Sequence, residues 1–245
     1  MPSFKRALVI GASSGIGKAL ARQLLSEGCH VAFVSRRPSL TPEEVQASNG
    51  HAFVYEHDVR NYLEAPELFQ RIARDLGGLD LVIYSSGVMP AMDEHEYSFD
   101  KDREIIDVNV LGAFAWLDEA ARRFEQLKSK GMIMGISSVA GERGRRGNPA
   151  YCTSKAALTT YLESLRNRLG RYGIKVLTVK PGFVATEMTE GKPGLFWVIT
   201  AEDAARRILR AARAGKNTAY IPKRWRYVSF LLKSVPSFLF RRLPI

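Results

Sequence analysis

Short apolar runs alternate with longer amphipathic stretches along this chain. Residues 7–10, 31–34, 52–55, 79–84, 131–136 and 175–179 are rich in Val and Ile and bounded by Gly, Asp or Ser. That pattern predicts buried strands. Between them, residues 17–27, 62–76, 102–128 and 151–172 carry helical periodicity. Further on, residues 201–214 predict a basic helix and residues 219–222 a last strand. Strand–helix alternation predicts an α/β fold: a single Rossmann-type, doubly wound parallel sheet with helices on both faces and right-handed crossovers. No Pro/Ser-rich linker or internal repeat divides the chain. Residues 1–222 are therefore read as one domain and residues 223–245 as a basic amphipathic tail.

The first strand runs into Gly11-Ala12-Ser13-Ser14-Gly15-Ile16-Gly17 and then a helix. A glycine turn between strand and helix lets the backbone approach a pyrophosphate, and the helix N-terminus supplies free N–H groups and a positive dipole end. Gly11 suits the tight turn, Gly15 the close approach and Gly17 the packing of helix on strand. The second strand ends Val34-Ser35-Arg36-Arg37. An acid there would bind a ribose 2′-hydroxyl, whereas a guanidinium suits a 2′-phosphate, so the expected cofactor is NADP(H) rather than NAD(H).

Ser138, Tyr151 and Lys155 stand in the spacing S-x12-Y-x3-K. Tyr151 and Lys155, four apart at a helix start, share one face, and a positive Lys155 beside the phenol is expected to lower its pKa toward neutrality. Ser138 follows the strand over 131–136, at the edge where ligands bind in such sheets.

With these residues in place the chain resembles the short-chain dehydrogenase/reductase family over its first 200 or so residues. The GASSGIG loop, Asp58-Val59, Asn109-Val110, Ser138, Tyr151, Lys155 and Pro181-Gly182 match its motifs. The resemblance implies that Tyr151 is the proton donor or acceptor, that Ser138 polarises the carbonyl, and that Lys155 binds the nicotinamide ribose and tunes Tyr151. It implies that Asn109 holds a water in the proton relay and that Asp58 and Val59 line the adenine site. Pro181, Gly182 and Val184 would border the nicotinamide, Thr186 its carboxamide, and Ser86 and Gly87 the turn after the fourth strand. Two positions depart from the pattern. Ile10 stands where the family carries Thr, and Tyr84-Ser85-Ser86-Gly87 where it carries Asn-Asn-Ala-Gly. That removes the family's Thr–Asn tie between strand ends and leaves the proton-transfer residues untouched. A dimer or tetramer built on the helices over 102–128 and 151–172 is also implied.

Composition narrows the address and the partners. A chain of 245 residues buries about 70% of its unfolded surface and needs no staple. Two cysteines exclude a disulfide scaffold, and no Cys/His cluster has zinc spacing, so no metal is expected. No signal peptide or membrane span is read, which makes cytoplasmic the expected address. Residues 201–245 hold eleven basic and two acidic side chains, or +9 of the net charge of +11. On a helix, Val228, Leu231, Leu232 and Val235 gather on one side, with Arg226 and Lys233 opposite. Such a helix suits peripheral contact with an anionic membrane surface on the cytoplasmic face. Packing on the domain or on a second subunit is the competing reading, and nucleic acid is not expected because no binding module is present. The tail is also similar to that of bacterial reductases acting on decaprenylphosphoryl ketoribose, through Arg226-Tyr227-Val228, Pro236 and the ending Phe240-Arg241-Arg242-Leu243-Pro244-Ile245. The loop Glu142-Arg143-Gly144-Arg145-Arg146-Gly147-Asn148 brings three arginines toward the pocket rim, suited to an anionic substrate group. Together these features predict an NADPH-dependent oxidoreductase interconverting a ketone and a secondary alcohol on a hydrophobic or lipid-linked substrate. A reductase of small soluble carbonyl compounds and a non-catalytic NADP-sensing protein are the alternatives.

Overall fold

The computed structural model describes residues 4–93, 95–192 and 194–243. Seven strands form one parallel sheet: β1 (Arg6–Ile10), β2 (His30–Ser35), β3 (Ala52–Glu56), β4 (Leu81–Tyr84), β5 (Met132–Ile136), β6 (Lys175–Pro181) and β9 (Thr218–Ile221). Their order is β3-β2-β1-β4-β5-β6-β9, and every pairing is parallel. The strand order reverses direction between β1 and β4, which opens a crevice at the carboxyl edge of the sheet. All seven strands coincide with runs predicted from the sequence.

Because both faces are covered, the inner strands are buried on both sides, whereas β3 at the edge is mostly half-buried. One apolar core joins the sheet to α3 (Ala65–Asp75), α5 (Gly112–Gln126) and α6 (Pro149–Leu169) through Phe69, Trp116, Phe124 and Leu162. The other joins it to α1 (Gly15–Ser26) and α7 (Ala201–Arg213) through Leu20, Leu24, Ile208 and Leu209.

The structure refines one expected helix and adds two details between the strands. The helix expected over 102–128 is α4 (Phe99–Ile106), a π-helical turn (Asp107–Leu111) and α5 in succession. A short helix not anticipated, α2 (Pro42–Ala47), starts at Thr41, whose side chain accepts from the Glu44 N–H while Glu44 reaches back to the Thr41 N–H. Finally, residues 187–199 form no helix among the described residues. Gly191 and Gly194 adopt φ of +70° and +71°, and the Thr189 hydroxyl bonds Val184 O at 2.7 Å, which folds the segment into turns. The segment closes with β8 (Ile199–Thr200) pairing β7 (Val184–Ala185).

The tail lies on the domain as α8 (Trp225–Ser234) and α9 (Ser237–Phe240). Trp225 and Ser229 are buried, and Val228, Leu232 and Val235 are half-buried. Leu231, expected to share their stripe, is exposed on the far side. Pro244 and Ile245, the end of the tail similarity, lie outside the described residues.

Candidate active site

A cavity of about 720 Å³ opens along the carboxyl ends of β1, β2, β4, β5 and β6. Every residue given a cofactor or proton-transfer role by the motifs lines it except Gly17 and Asn109. Both of these sit one layer behind. A Cβ on Gly17 would lie 2.0 Å from the Gly11 carbonyl oxygen, so this glycine lets α1 close onto the loop. Gly11 itself has φ of +88°, and a Cβ there would lie 2.4 Å from the Ser86 nitrogen. No side chain but hydrogen fits this turn.

At the start of α1, Ser14 is extended and its side chain makes no capping bond. The first-turn N–H groups thus lack a side-chain partner and face a cavity wall formed by Ser13, Ser14, Gly15 and Ile16. That is a cradle for a diphosphate. At the end of β2, the Ser35 hydroxyl donates to Arg37 O at 2.6 Å and meets the Ser39 hydroxyl at 2.7 Å. It is spent on the loop and leaves the position to the guanidiniums. Arg36 lines the cavity close enough to Asp58 to help lower that carboxyl, after the larger effect of the Arg60 hydrogen bonds. Arg37 faces Glu187 at 3.8 Å, with both side chains exposed. These residues fit a 2′-phosphorylated adenosine end.

The tie lost at Ile10 and Ser85 is replaced. The Ser85 N–H donates to Ile10 O at 2.8 Å, and the buried Tyr84 hydroxyl donates to Val108 O at 2.5 Å. The π-helical turn then carries Asn109, whose side chain accepts from Val88 N–H at 2.8 Å. It donates to Val88 O at 3.1 Å and to Ser154 Oγ at 3.0 Å. Asn109 stitches the β4 loop to α6. A π turn at such a point re-aims a side chain that a regular helix would place elsewhere.

Ser138, Tyr151 and Lys155 meet at the far end of the cavity. The Ser138 Oγ accepts from Ala140 N–H at 3.0 Å, which leaves its own proton to donate. Lys155 is buried and donates to Ile136 O at 3.0 Å, and its Nζ stands 5.6 Å from the centre of the Tyr151 ring. Two of its three protons remain for other acceptors. Burial lowers the Lys155 pKa to about 8. Burial also pushes the Tyr151 phenol up to about 12, against a lowering hydrogen bond from Ser138 and a lowering charge on Arg145. The expected lowering of Tyr151 by Lys155 is therefore not found. Loss of hydration outweighs the charges around the phenol.

Sequence reasoning missed much of the remaining wall. Ser137, which donates to Lys155 O at 2.8 Å, ties β5 to α6, and its signal was hidden beside Ser138. Met89, Cys152, Phe183, Met188 and Leu195 give an apolar side to the cavity. Of the three loop arginines, Arg145 lines the cavity and Arg146 is exposed. Arg143 turns away from the pocket, because it caps the carboxyl end of α8: it donates to Leu232 O at 2.6 Å and to Val235 O, and lies 3.9 Å from the centre of the Phe240 ring.

Comparison with known proteins agrees with this geometry. The family model described as short chain dehydrogenase matches residues 5–193. An uncharacterized oxidoreductase of Myxococcus xanthus (strain DK1622) is 39% identical over 190 residues, covering 76% of this chain and 75% of its own. The fold superposes on 4-hydroxyisoleucine dehydrogenase complexed with NADH at a TM-score of 0.78, with 25% identity, covering 88% of this chain and 96% of that one. It superposes on ElxO with NADP bound at a TM-score of 0.77, with 23% identity, covering 89% and 96%. The family match over most of the chain, joined to the parallel sheet and the glycine-loop cavity at its carboxyl edge, establishes that the chain belongs to the short chain dehydrogenase family of oxidoreductases.

Proposed function

We propose that the protein is an NADPH-dependent reductase of ketones, acting on an apolar or lipid-linked substrate. One observation carries the reading: Ser138, Tyr151 and Lys155 converge on the cavity that begins at the uncapped start of α1. Gly11, Gly15 and the α1 N-terminus would hold the diphosphate, Arg36 the 2′-phosphate, Asp58 and Val59 the adenine side, and Lys155 the nicotinamide ribose. When bound, the dinucleotide supplies the hydride to the carbonyl carbon. Tyr151 Oη gives its proton to the carbonyl oxygen as negative charge develops there, and Ser138 Oγ donates a hydrogen bond to the same oxygen. A phenol held up at about 12 keeps its proton at neutral pH, which suits it to act as the donor when a carbonyl is reduced. Met89, Phe183, Met188 and Leu195 favour an apolar substrate, and Arg145 offers a cation beside the phenol for an anionic group on it.

The test is Tyr151→Phe, assayed with NADPH and a panel of hydrophobic ketones. Turnover is expected to fall by about 100- to 10,000-fold, the share general acid catalysis supplies. NADPH affinity, followed by nicotinamide fluorescence, stays near its original value. Turnover that survives the substitution overturns the proposal.

A further inference from the structure

Helix α8 has two apolar faces, and only one of them packs on the domain. Trp225, Val228, Ser229, Leu232 and Val235 point inward. Tyr227, Phe230 and Leu231 point outward and are 73%, 70% and 64% exposed. Their spacing puts them on one face of the helix. This is a different set from the stripe that the sequence pattern singles out. Just beyond, Phe238, Leu239 and Leu243 are exposed as well.

The outward face is not an accident of a loosely held tail. Lys233 pairs with the buried Glu142, and Arg143 grips the end of α8 through Leu232 O and Val235 O. Trp225, 2% exposed, packs edge-on against Phe183 at 5.3 Å and Trp197 at 5.8 Å. Firm anchoring on one side holds the other side toward solvent.

The exposed patch continues to the cavity. Phe196, Trp197 and Val198 are 48%, 41% and 43% exposed. Phe196 stacks on Trp225 at 5.3 Å and meets Phe183, a cavity wall residue, at 5.5 Å. Trp197 is held at φ of +56°, a conformation uncommon for a bulky side chain, and Arg224 lies 4.4 Å from the centre of its ring.

Charge selects the occupant. Residues 223–245 carry Lys223, Arg224, Arg226, Lys233, Arg241 and Arg242 and no acid. All six cations are exposed. Two copies meeting face to face about a twofold axis would set this cluster against itself, since an isologous interface repeats one patch on both sides. An anionic bilayer offers the opposite charge, and aromatic and apolar side chains ringed by cations suit its headgroup boundary. Among the described residues no helix is long and apolar enough to cross a membrane, so the contact lies along the surface.

We propose that α8, α9 and residues 196–198 dock the protein onto an anionic lipid surface, with Tyr227, Phe230, Leu231, Phe238 and Leu239 in the headgroup boundary. Docking brings the cavity mouth to the bilayer. The delivery of an apolar carbonyl substrate from lipid rests on the reductase reading, whereas the docking itself does not.

The test uses the full chain in co-sedimentation with vesicles of phosphatidylcholine alone and of phosphatidylcholine mixed with phosphatidylglycerol. Binding to the mixed vesicles alone, released by salt, is expected. Arg241→Gln with Arg242→Gln should weaken it about thirtyfold, and Phe230→Ser with Leu231→Ser about tenfold or more. Both variants sit at exposed positions and should keep the original thermal midpoint and NADPH affinity. Full-chain protein that stays in the supernatant, or that binds neutral and anionic vesicles equally, overturns the proposal. So does a dimer in sedimentation velocity that Phe230→Ser with Leu231→Ser dissociates, because the patch is then a subunit contact. Turnover that survives Tyr151→Phe, with vesicle binding intact, would remove the reductase reading and leave the docking in place.

Discussion

At the scale of single residues, the proposed preference for NADPH turns on what stands at the end of β2. The Ser35 hydroxyl donates to Arg37 O and meets the Ser39 hydroxyl, and Ser35 brings no carboxylate of the kind that grips a ribose 2′-hydroxyl at this position. Arg36 and Arg37 bring positive charge to that end of the cavity, and Arg37 also faces Glu187. A hydrogen bond to a charged partner contributes about 1.5–3 kcal/mol, or roughly ten- to a hundredfold in affinity. Arg36→Ala is therefore expected to raise the dissociation constant for NADPH by about that factor and leave NADH binding little changed, as fluorescence titration of both would measure. Equal weakening of the two would remove Arg36 from the 2′-phosphate. This residue was readable from its place after the second apolar run. The Tyr151 phenol was not, because its pKa depends on how completely the surrounding chain excludes water. Spacing alone reveals the Lys155 neighbour and conceals the desolvation that holds the phenol up.

At the scale of elements, the short 3-10 turn Val139–Glu142 joins Ser138 to the tail. Glu142 accepts from Lys180 on β6 at 2.8 Å, from the Tyr220 hydroxyl on β9 at 2.7 Å, and from Lys233 on α8. Burial pushes its carboxyl up, and these three hydrogen bonds outweigh that, so its pKa lies below the ordinary 4.5. The Glu142 and Lys180 side chains are 2% and 7% exposed. Removing one partner of a buried pair strands the other, at a cost of about 3 kcal/mol or more. Glu142→Gln is expected to lower urea-unfolding stability by that amount at pH 7. Because the folded-state pKa is depressed, the carboxylate's contribution is complete above 4.5 and is lost as pH falls through the folded value. The gap between the two proteins should thus close on acidification, and a gap that stays constant to low pH would refute the assignment. None of this cluster was legible in the sequence, where Glu142, Lys180, Tyr220 and Lys233 are dispersed over some ninety residues and share no period. By contrast α2 was legible in principle: Thr41-Pro42-Glu43-Glu44 is a capping box with Pro at the first helical position, a signal that lay outside the apolar periodicity used to find the longer helices.

At the scale of the whole molecule, the cavity is built in two halves by different means. The half around β1, β2 and β4 rests on contiguous motifs, and its residues were named from the chain because a glycine turn and the strand beside it are local in sequence. The other half depends on Phe183, Phe196, Trp197 and Trp225, which tertiary folding alone brings together. Trp225 is its keystone in a geometric sense: a Cβ on Gly182 would lie 1.9 Å from the Trp225 indole nitrogen, so the tail helix is seated directly behind the loop expected at the nicotinamide. Trp225→Ala removes that seat and opens a void, at a cost of about 3–5 kcal/mol. If the tail builds only the substrate half, NADPH affinity should stay nearly constant in the variant while KM for apolar ketones rises and the thermal midpoint falls. Saturating NADPH should then recover part of the lost midpoint, since ligand bound only to the folded state stabilises it. Loss of NADPH binding with unchanged KM for the ketone would show the reverse: that α8 supports the cofactor loop and the substrate is held elsewhere.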